Sequence, residues 1–475
     1  MKKVLLTAAA LIFSMAAMNA QTEVKDPFVY EPVDGYVLKN LWIKSVKTLN
    51  DPSAALGEAR GMAALNGELL FCRRDGDPSV SSIDVYDGMT GAFKKNVALA
   101  SDVFVGAGIP CNDIQVDDAG NVLVANLATD VVKGGFQVWK IDITTGIGTK
   151  VIQCNLPLLE NGEATPVIRI DAFGVYGDVN GDGYVMAAVA GAEAGIGDQI
   201  LRWDIKGGKV VVSLTGGPET TENPADYPEM ITIQEYYPST TPSNGTAPRV
   251  CPIDNDLFYL DGFNTAAAIY DMSGILIDSF EKAPDLAPKQ VGNNGVDEFS
   301  LDGRNFIIYS YTNTVDGTSP QAWALCDVGE NMTFEGMKKQ AIFPGNGLGN
   351  VSNPVRTALP RIDVKEDAKV AVIYVYAYKS GFGAYVFGEE SAVDKFINPK
   401  PDGISDINTA NLKISATENG VTISEAAEVT VYDFTGQQIT AQSNATHVTL
   451  LPGNYIVKAV SVDGKSVSTS KVLIK

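Results

Sequence analysis

Histidine is nearly missing from this chain of 475 residues, and the one copy, His447, stands close to the C-terminus. Ser-His and Cys-His nucleophile pairs, and histidine-ligated zinc or iron, therefore have no support in the larger part of the chain. Cysteine is also scarce. Cys72, Cys111, Cys154, Cys251 and Cys326 are far apart, with no CxxC and no Cys/His cluster, which removes zinc and dithiol redox motifs. Their odd number leaves at least one thiol free, and such residues ordinarily serve as small hydrophobes in strands. Positive charge is short as well. Against 57 Asp and Glu stand 36 Lys and Arg, and the net of −21 repels nucleic acid and anionic membrane surfaces. No GxGxxG or GxxxxGK[ST] follows a strand and opens a helix; GFGAY (381–385) is a glycine pair in a hairpin. Beyond the first twenty residues, no run approaches the roughly 18 apolar residues of a membrane span.

Those first residues, MKKVLLTAAALIFSMAAMNAQ, place Lys2 and Lys3 ahead of an apolar run from Val4 to Ala17. That is the layout of a secretory signal peptide, expected to be cleaved after Ala20, with no cysteine to carry a lipid anchor. The mature chain is expected to be exported, to the cell exterior or the outer-membrane surface, with the periplasm as the alternative.

The middle of the chain repeats one pattern: an apolar strand, a turn rich in Asp, Asn and Gly, then a second apolar strand. LNGELLFC (65–72), DDAGNVLVAN (117–126), GDGYVMAAV (181–189), DNDLFYLDG (254–262), LDGRNFIIYS (301–310) and KEDAKVAVIYVY (365–376) are six copies. A closing strand carries an Asp at 87, 142, 204, 271 and 327, in steps of 55, 62, 67 and 56 residues. Strand-rich, helix-poor units of this period predict an all-β, six-bladed β-propeller, with seven blades the nearest alternative. The propeller is assigned to residues 53–388, and 21–52 supply a ring-closing strand around NLWIKSV (40–46) that covers exposed sheet edges. Trp139, Trp203 and Trp323, in the closing strands, are expected in the core between blades.

After Phe387 the repeats stop. Residues 389–410, with their prolines, glycines and charges, read as a linker. Residues 411–475 alternate in short strands and predict a small Ig-like β-sandwich. Within it VTVYDFTGQQI (429–439), PGNYIVKAV (452–460) and KVLIK (471–475) resemble the C-terminal sorting domains of secreted Bacteroidetes proteins, which implies delivery through the type IX secretion machinery; the alternative is an ordinary Ig-like spacer domain. LGEARGMAALNGELLFCRRDG (56–76), IPCNDIQVDDAGNVLVANLATD (109–130) and RIDAFGVYGDVNGDGY (169–184) resemble an uncharacterised family of secreted Bacteroidetes propellers. That resemblance implies a fold and no activity.

Residues that start each innermost strand are expected to face one mouth of the ring: Arg60, Asn112, Asp113, Arg169, Asp171, Arg249, Asn294 and Arg356. Arginines recurring there suit carboxylate or sugar hydroxyl groups, and they suit equally the capping of loop carbonyls at blade edges. Tyr236 and Tyr237, in a long polar loop, offer ring faces to a sugar or pack the loop on its blade. In GDVNGDGYV (177–185), Asp178, Asn180, Asp182 and the Tyr184 carbonyl match the first ligands of a calcium loop, while position 12 holds Val189 instead of an acid. The same stretch occupies the place of a hairpin turn in the repeat. A structural Ca2+ and a bare turn both fit.

Three functions follow: a non-catalytic surface propeller binding a glycan or protein, a carboxylate-dependent glycan-degrading enzyme, and a structural or adhesive surface protein. The second requires two acids facing one another at about 5–9.5 Å.

Overall fold

A computed structural model describes residues 28–29, 35–74, 81–156, 167–191, 197–240, 243–262, 265–288, 294–312, 321–345, 347–349, 353, 355–399, 412–464 and 466–475. The proposed signal peptide and much of the proposed linker lie outside these residues. The chain divides into two compact units, at Ile397/Asn398.

Among the described residues the first unit is built chiefly of strands, in six antiparallel sheets. Sheet one runs Gly61–Leu65, Glu68–Arg74, Ser81–Asp87, Phe93–Ala98, and sheet two Ile109–Val116, Val122–Leu127, Phe136–Ile141, Gly148–Cys154. Sheet three is built on Gly174–Gly177, Gly183–Ala190 and Gln199–Lys206, with Arg169–Ile170, Lys209–Val210 and Glu229–Thr232 as short additions. Sheet four runs Arg249–Pro252, Leu257–Gly262, Thr265–Asp271, Leu276–Asp278. Sheet five runs Val296–Leu301, Arg304–Thr312, Gln321–Gly329, Lys338–Phe343, and Phe28–Val29 adds a strand at its outer edge. Sheet six runs Ala358–Lys365, Val370–Ala377, Gly381–Glu389, and its fourth strand is Tyr36–Ser45 from the N-terminal segment.

Local chemistry explains the hairpins. Asn66-Gly67 and Asp302-Gly303 both have positive φ at two successive residues, the geometry that lets a two-residue turn follow the twist of its strands. The Asp that closes the third strand accepts backbone N–H groups of the following turn: Asp87 from Thr90 (2.9 Å), Asp142 from Thr144 (2.8 Å), Asp271 from Ser273 (2.8 Å) and Asp327 from Gly329 (2.8 Å). Asp204 departs from the pattern and pairs with Arg202 at 3.0 Å.

Contacts between first strands join the six sheets in a closed cycle. The ideal Cβ position of Gly61 lies 2.7 Å from Ile114 N, so only glycine lets sheets one and two approach this closely. Gln115 Nε2 donates to the Phe173 carbonyl (2.9 Å), joining sheets two and three, and Gly174 abuts Val250 and Pro252 of sheet four. Cys251 Sγ lies 3.6 Å from Asp297 of sheet five, Arg361 of sheet six pairs with Asp297, and Asp363 of sheet six accepts from Gly67 N (3.0 Å) of sheet one. Apolar side chains fill the spaces between sheets, with Trp203 and Trp323 fully buried and Trp139 nearly so. Val370–Ala377 is buried along its whole length, as its unbroken apolar run VAVIYVYA requires.

Residues Glu390–Ile397, within the stretch expected as linker, form a helix that buries Val393 against sheet six. The second unit is one five-stranded antiparallel sheet, Ile414–Thr417, Gly420–Tyr432, Gln438–Thr449, Gly453–Ser461 and Val467–Ile474. Its own core includes Val421, Val429, Val431, Val457 and Ile474.

Candidate functional site

The first strands of the six sheets surround a cavity of about 280 Å³, close to the lower bound of roughly 300 Å³ typical of small-molecule sites. It extends from Phe173 and Arg249, at the starts of their strands, to Asp118, Ile253 and Ile362. Ala63, Ala64, Val175 and Pro252 give it small apolar walls, and Gln115, Asp118, Asp297, Glu298 and Arg361 supply the polar groups.

Arg361 approaches Asp297 at 3.7 Å, while burial, the largest influence, raises the Asp297 carboxyl above its usual range. Glu298 is pushed up to about 7, first by burial and then by the negative charges of Asp297 and Asp254. At neutral pH the cavity therefore presents a carboxyl that exchanges between donor and acceptor forms. Nearby, the buried Asp261 is also pushed up to about 7 by burial, opposed by a hydrogen bond from Gly295 N (2.7 Å) and by the charge of Arg249.

Of the ten residues read from the sequence as a ligand set, Arg249 alone lines this cavity. Its guanidinium donates to Asp113 Oδ1 at 3.0 Å, and Asp113 Oδ2 accepts from Phe173 N (3.2 Å). Arg169 grips both oxygens of Asp171 at 2.9 and 2.6 Å, and Asn112 Nδ2 donates to the Asp171 carbonyl (2.7 Å). Asn294 bridges to the carbonyls of Thr246 and Ala247 and accepts nothing at its buried Oδ1; its backbone N–H donates to the Arg356 carbonyl (2.6 Å). Arg60 lies over the Tyr378 ring, 5.8 Å from its centre, with Glu58 at 4.0 Å. The sheets thus bring together Asp113 with Arg249, and Asn112 with Arg169 and Asp171, chiefly as ties between neighbouring strands.

The two tyrosines point into protein. Tyr236 is buried in the core between sheets three and four, and its hydroxyl donates to Asn244 at 2.8 Å. Tyr237 packs against the core of sheets four and five, and its carbonyl accepts from Thr265 and Ala266. These contacts fasten the loop and leave no open ring face at Tyr236.

In the loop at 177–185, Asp178 Oδ1 accepts from Asn180 N (2.8 Å) and Asn121 Nδ2 (3.1 Å), and Asp182 Oδ1 accepts from Gly207 N (2.8 Å). The Lys140 ammonium donates to Asn180 Oδ1. Tyr184 lies inside a strand paired on both sides, opposite Tyr176 and Asp204. Among the described residues, no group of three or more His, Cys, Asp or Glu is arranged to hold a metal ion.

Sequence reasoning missed Gln115, Asp118, Asp297, Glu298 and Arg361. The available signal was the pair Asp297-Glu298 inside the otherwise apolar VDEF strand, where a charge conflicts with burial.

No protein-family model matches the chain, and no curated protein matches it. Among solved structures, a DUF4623 family protein from Bacteroides eggerthii aligns with a TM-score of 0.53 at 15% identity, over 76% of this chain and 77% of that one. PorZ, an essential bacterial surface component of the type IX secretion system of Porphyromonas gingivalis, aligns at 0.32 and 12%, over 88% of this chain and 59% of that one. An endo-arabinase from Bacteroides thetaiotaomicron aligns at 0.33 and 12%, over 71% and 95%. The first is a likeness of fold; the other two scores are too low to extend it.

Proposed function

We propose that the chain is an exported six-bladed β-propeller that binds a neutral, hydroxyl-rich ligand such as a glycan in its central cavity, without turnover. Each of the six sheets is one blade in this reading, and Tyr36–Ser45 closes the ring through sheet six. The fold shared with the B. eggerthii protein supports the architecture. Export rests on the N-terminal segment, and residues 411–475, whose strands form one five-stranded sheet where a two-sheet sandwich was expected, are proposed to be a sorting domain that hands the protein to the type IX machinery and the cell surface.

The observation that carries the ligand class is the cavity wall: Gln115, Glu298 and Arg361 set among small apolar side chains. A carboxyl poised near neutrality, an amide and a guanidinium together donate to and accept from hydroxyls without demanding a charged ligand. A glycan-array screen of the mature full chain, followed by calorimetry on the hits, tests this. Selective binding that weakens at least tenfold in Glu298→Ala and Arg361→Ala is expected, with Lys94→Ala on the outer surface unchanged. A blank array, or binding indifferent to both cavity variants, overturns it.

A second reading is favoured by one observation, the elevated Glu298 carboxyl beside Asp297, since glycoside hydrolysis uses an acid held protonated at working pH. Release of chromophore from aryl glycosides, abolished by Glu298→Gln, would replace binding with catalysis. The protein partner and the purely adhesive role remain the outcomes if neither glycan assay responds.

A further inference from the structure

Cys111 is placed by an irregularity that nothing in the cavity uses. It has a φ of +51°, in the left-handed region, and sits where the first strand of sheet two slips register against its neighbour between Ile109 and Asp113. In a regular strand residues 111 and 113 would share a face, and Asp113 turns inward to Arg249. The bulge breaks that alternation. It aims the Cys111 thiol at sheet one instead, where Sγ lies 3.5 Å from the Ser82 carbonyl.

Cys72 stands on the neighbouring strand of sheet one, paired with Gly61 on one side and Ile83 on the other. Its Sγ lies 3.8 Å from the Gly61 carbonyl, and the ideal Cβ position of Gly61 falls 2.8 Å from that Sγ and 2.9 Å from Asp113 Cα. The lack of a side chain at residue 61 therefore brings Cys72 against the bulged segment of sheet two. Both are free thiols in this structure, fully buried in one apolar cluster with Ile83, Phe104 and Ile114, and burial, followed by the neighbouring Cys111, holds the Cys72 thiol well above its ordinary range. Cys154, Cys251 and Cys326 belong to other clusters.

We infer that Cys72 and Cys111 form a disulfide that links sheet one to sheet two when the folding chain meets a disulfide donor. The step is thiol–disulfide exchange. The thiolate of one cysteine attacks a sulfur of an oxidised dithiol carrier or of oxidised glutathione, and the second cysteine displaces the carrier thiol. The protein loses two protons and two electrons, and the carrier, which takes up both, leaves as its reduced dithiol or as two glutathione molecules. Burial confines the exchange to folding, before the cluster closes, and protects the bond afterwards. Export, proposed above, would supply the oxidising compartment; the choice of partners rests on the two thiols sharing one buried cluster beside Gly61.

Refolding of the reduced full-length protein in a buffer dominated by oxidised glutathione, followed by denaturation, alkylation of free thiols and non-reducing peptide mapping, tests the inference. The expected product is one linked peptide pair containing Cys72 and Cys111, three alkylated cysteines, and a melting temperature several degrees above that of the reduced protein. Five alkylated cysteines after oxidation, or a linkage through another cysteine, overturns it. Because mapping is done on the wild-type chain, it does not depend on a variant folding. The Cys72→Ala and Cys111→Ala proteins then serve as controls that should each give five-minus-one free thiols and no rise on oxidation. Failure of the glycan assays leaves this result untouched, since no cavity residue takes part.

Discussion

Asp113 of sheet two and Arg249 of sheet four form an ion pair at 3.0 Å across the third sheet's edge, with Asp113 fully buried and 9% of the Arg249 side chain exposed. The Phe173 N–H, from the sheet between them, completes the coordination of Asp113. Three successive sheets are thereby tied at the core of the cycle.

Removing one partner leaves an uncompensated buried charge, which costs far more than the pair contributes. Arg249→Met is expected to destabilise by about 3–5 kcal/mol, and the double variant Asp113→Asn/Arg249→Met should recover part of the loss. Urea unfolding of the three proteins measures this. A single-variant loss under about 1 kcal/mol would show that the pair behaves as a surface contact.

The raised carboxyls of Glu298 and Asp261, both at about 7, carry a sign for pH dependence. Their folded values exceed those of the unfolded chain, so the folded state holds more protons between about pH 4 and pH 7. Stability from these groups is complete below the unfolded values and is lost as pH rises through 7. Wild type is expected to lose roughly 2 kcal/mol more than Glu298→Gln between pH 5 and pH 8. Equal slopes in chemical denaturation at the two pH values would remove Glu298 as the titrating group.

Sheet six meets sheet one at Trp42, whose indole N–H donates to the Gly88 carbonyl at 2.9 Å and whose ring meets Phe382 edge-on at 5.4 Å. Gly91 has a positive φ, and a side chain there would strike the indole at 2.8 Å. Trp42→Ala should cost about 2–4 kcal/mol, and Trp42→Phe, which keeps the ring, about 1 kcal/mol. The two midpoints in urea would coincide if the indole contact were incidental.

The loop at 177–185 is expected to stand as a turn held by its own hydrogen bonds, with the Lys140 ammonium already on Asn180. Millimolar calcium should leave the melting temperature within about 1 °C, whereas an ion at a hundred times its dissociation constant would add about 2.7 kcal/mol. A rise of several degrees that a chelator reverses would make Asp178, Asn180 and Asp182 a metal site.

What the sequence determined by itself is local. Strand alternation, the Asn66-Gly67 and Asp302-Gly303 turns, and the turn-capping Asp87, Asp142, Asp271 and Asp327 depend on neighbours a few residues away, so the strand-rich character and the repeated hairpins were legible. The strand around 40–46 was also readable, because an unpaired edge demands a partner. Tertiary structure alone decided which polar side chains meet. Asp113 and Arg249 come from different repeats, Glu298 acquires its character from burial and from Asp297 and Asp254, and Tyr236 turns into a core instead of toward a ligand. The bulge at Cys111 reverses a side chain against the period-two rule, and no pattern in IPCNDI announces it. Periodicity tells which residues share a strand's face; the docking of one sheet on the next decides what that face touches.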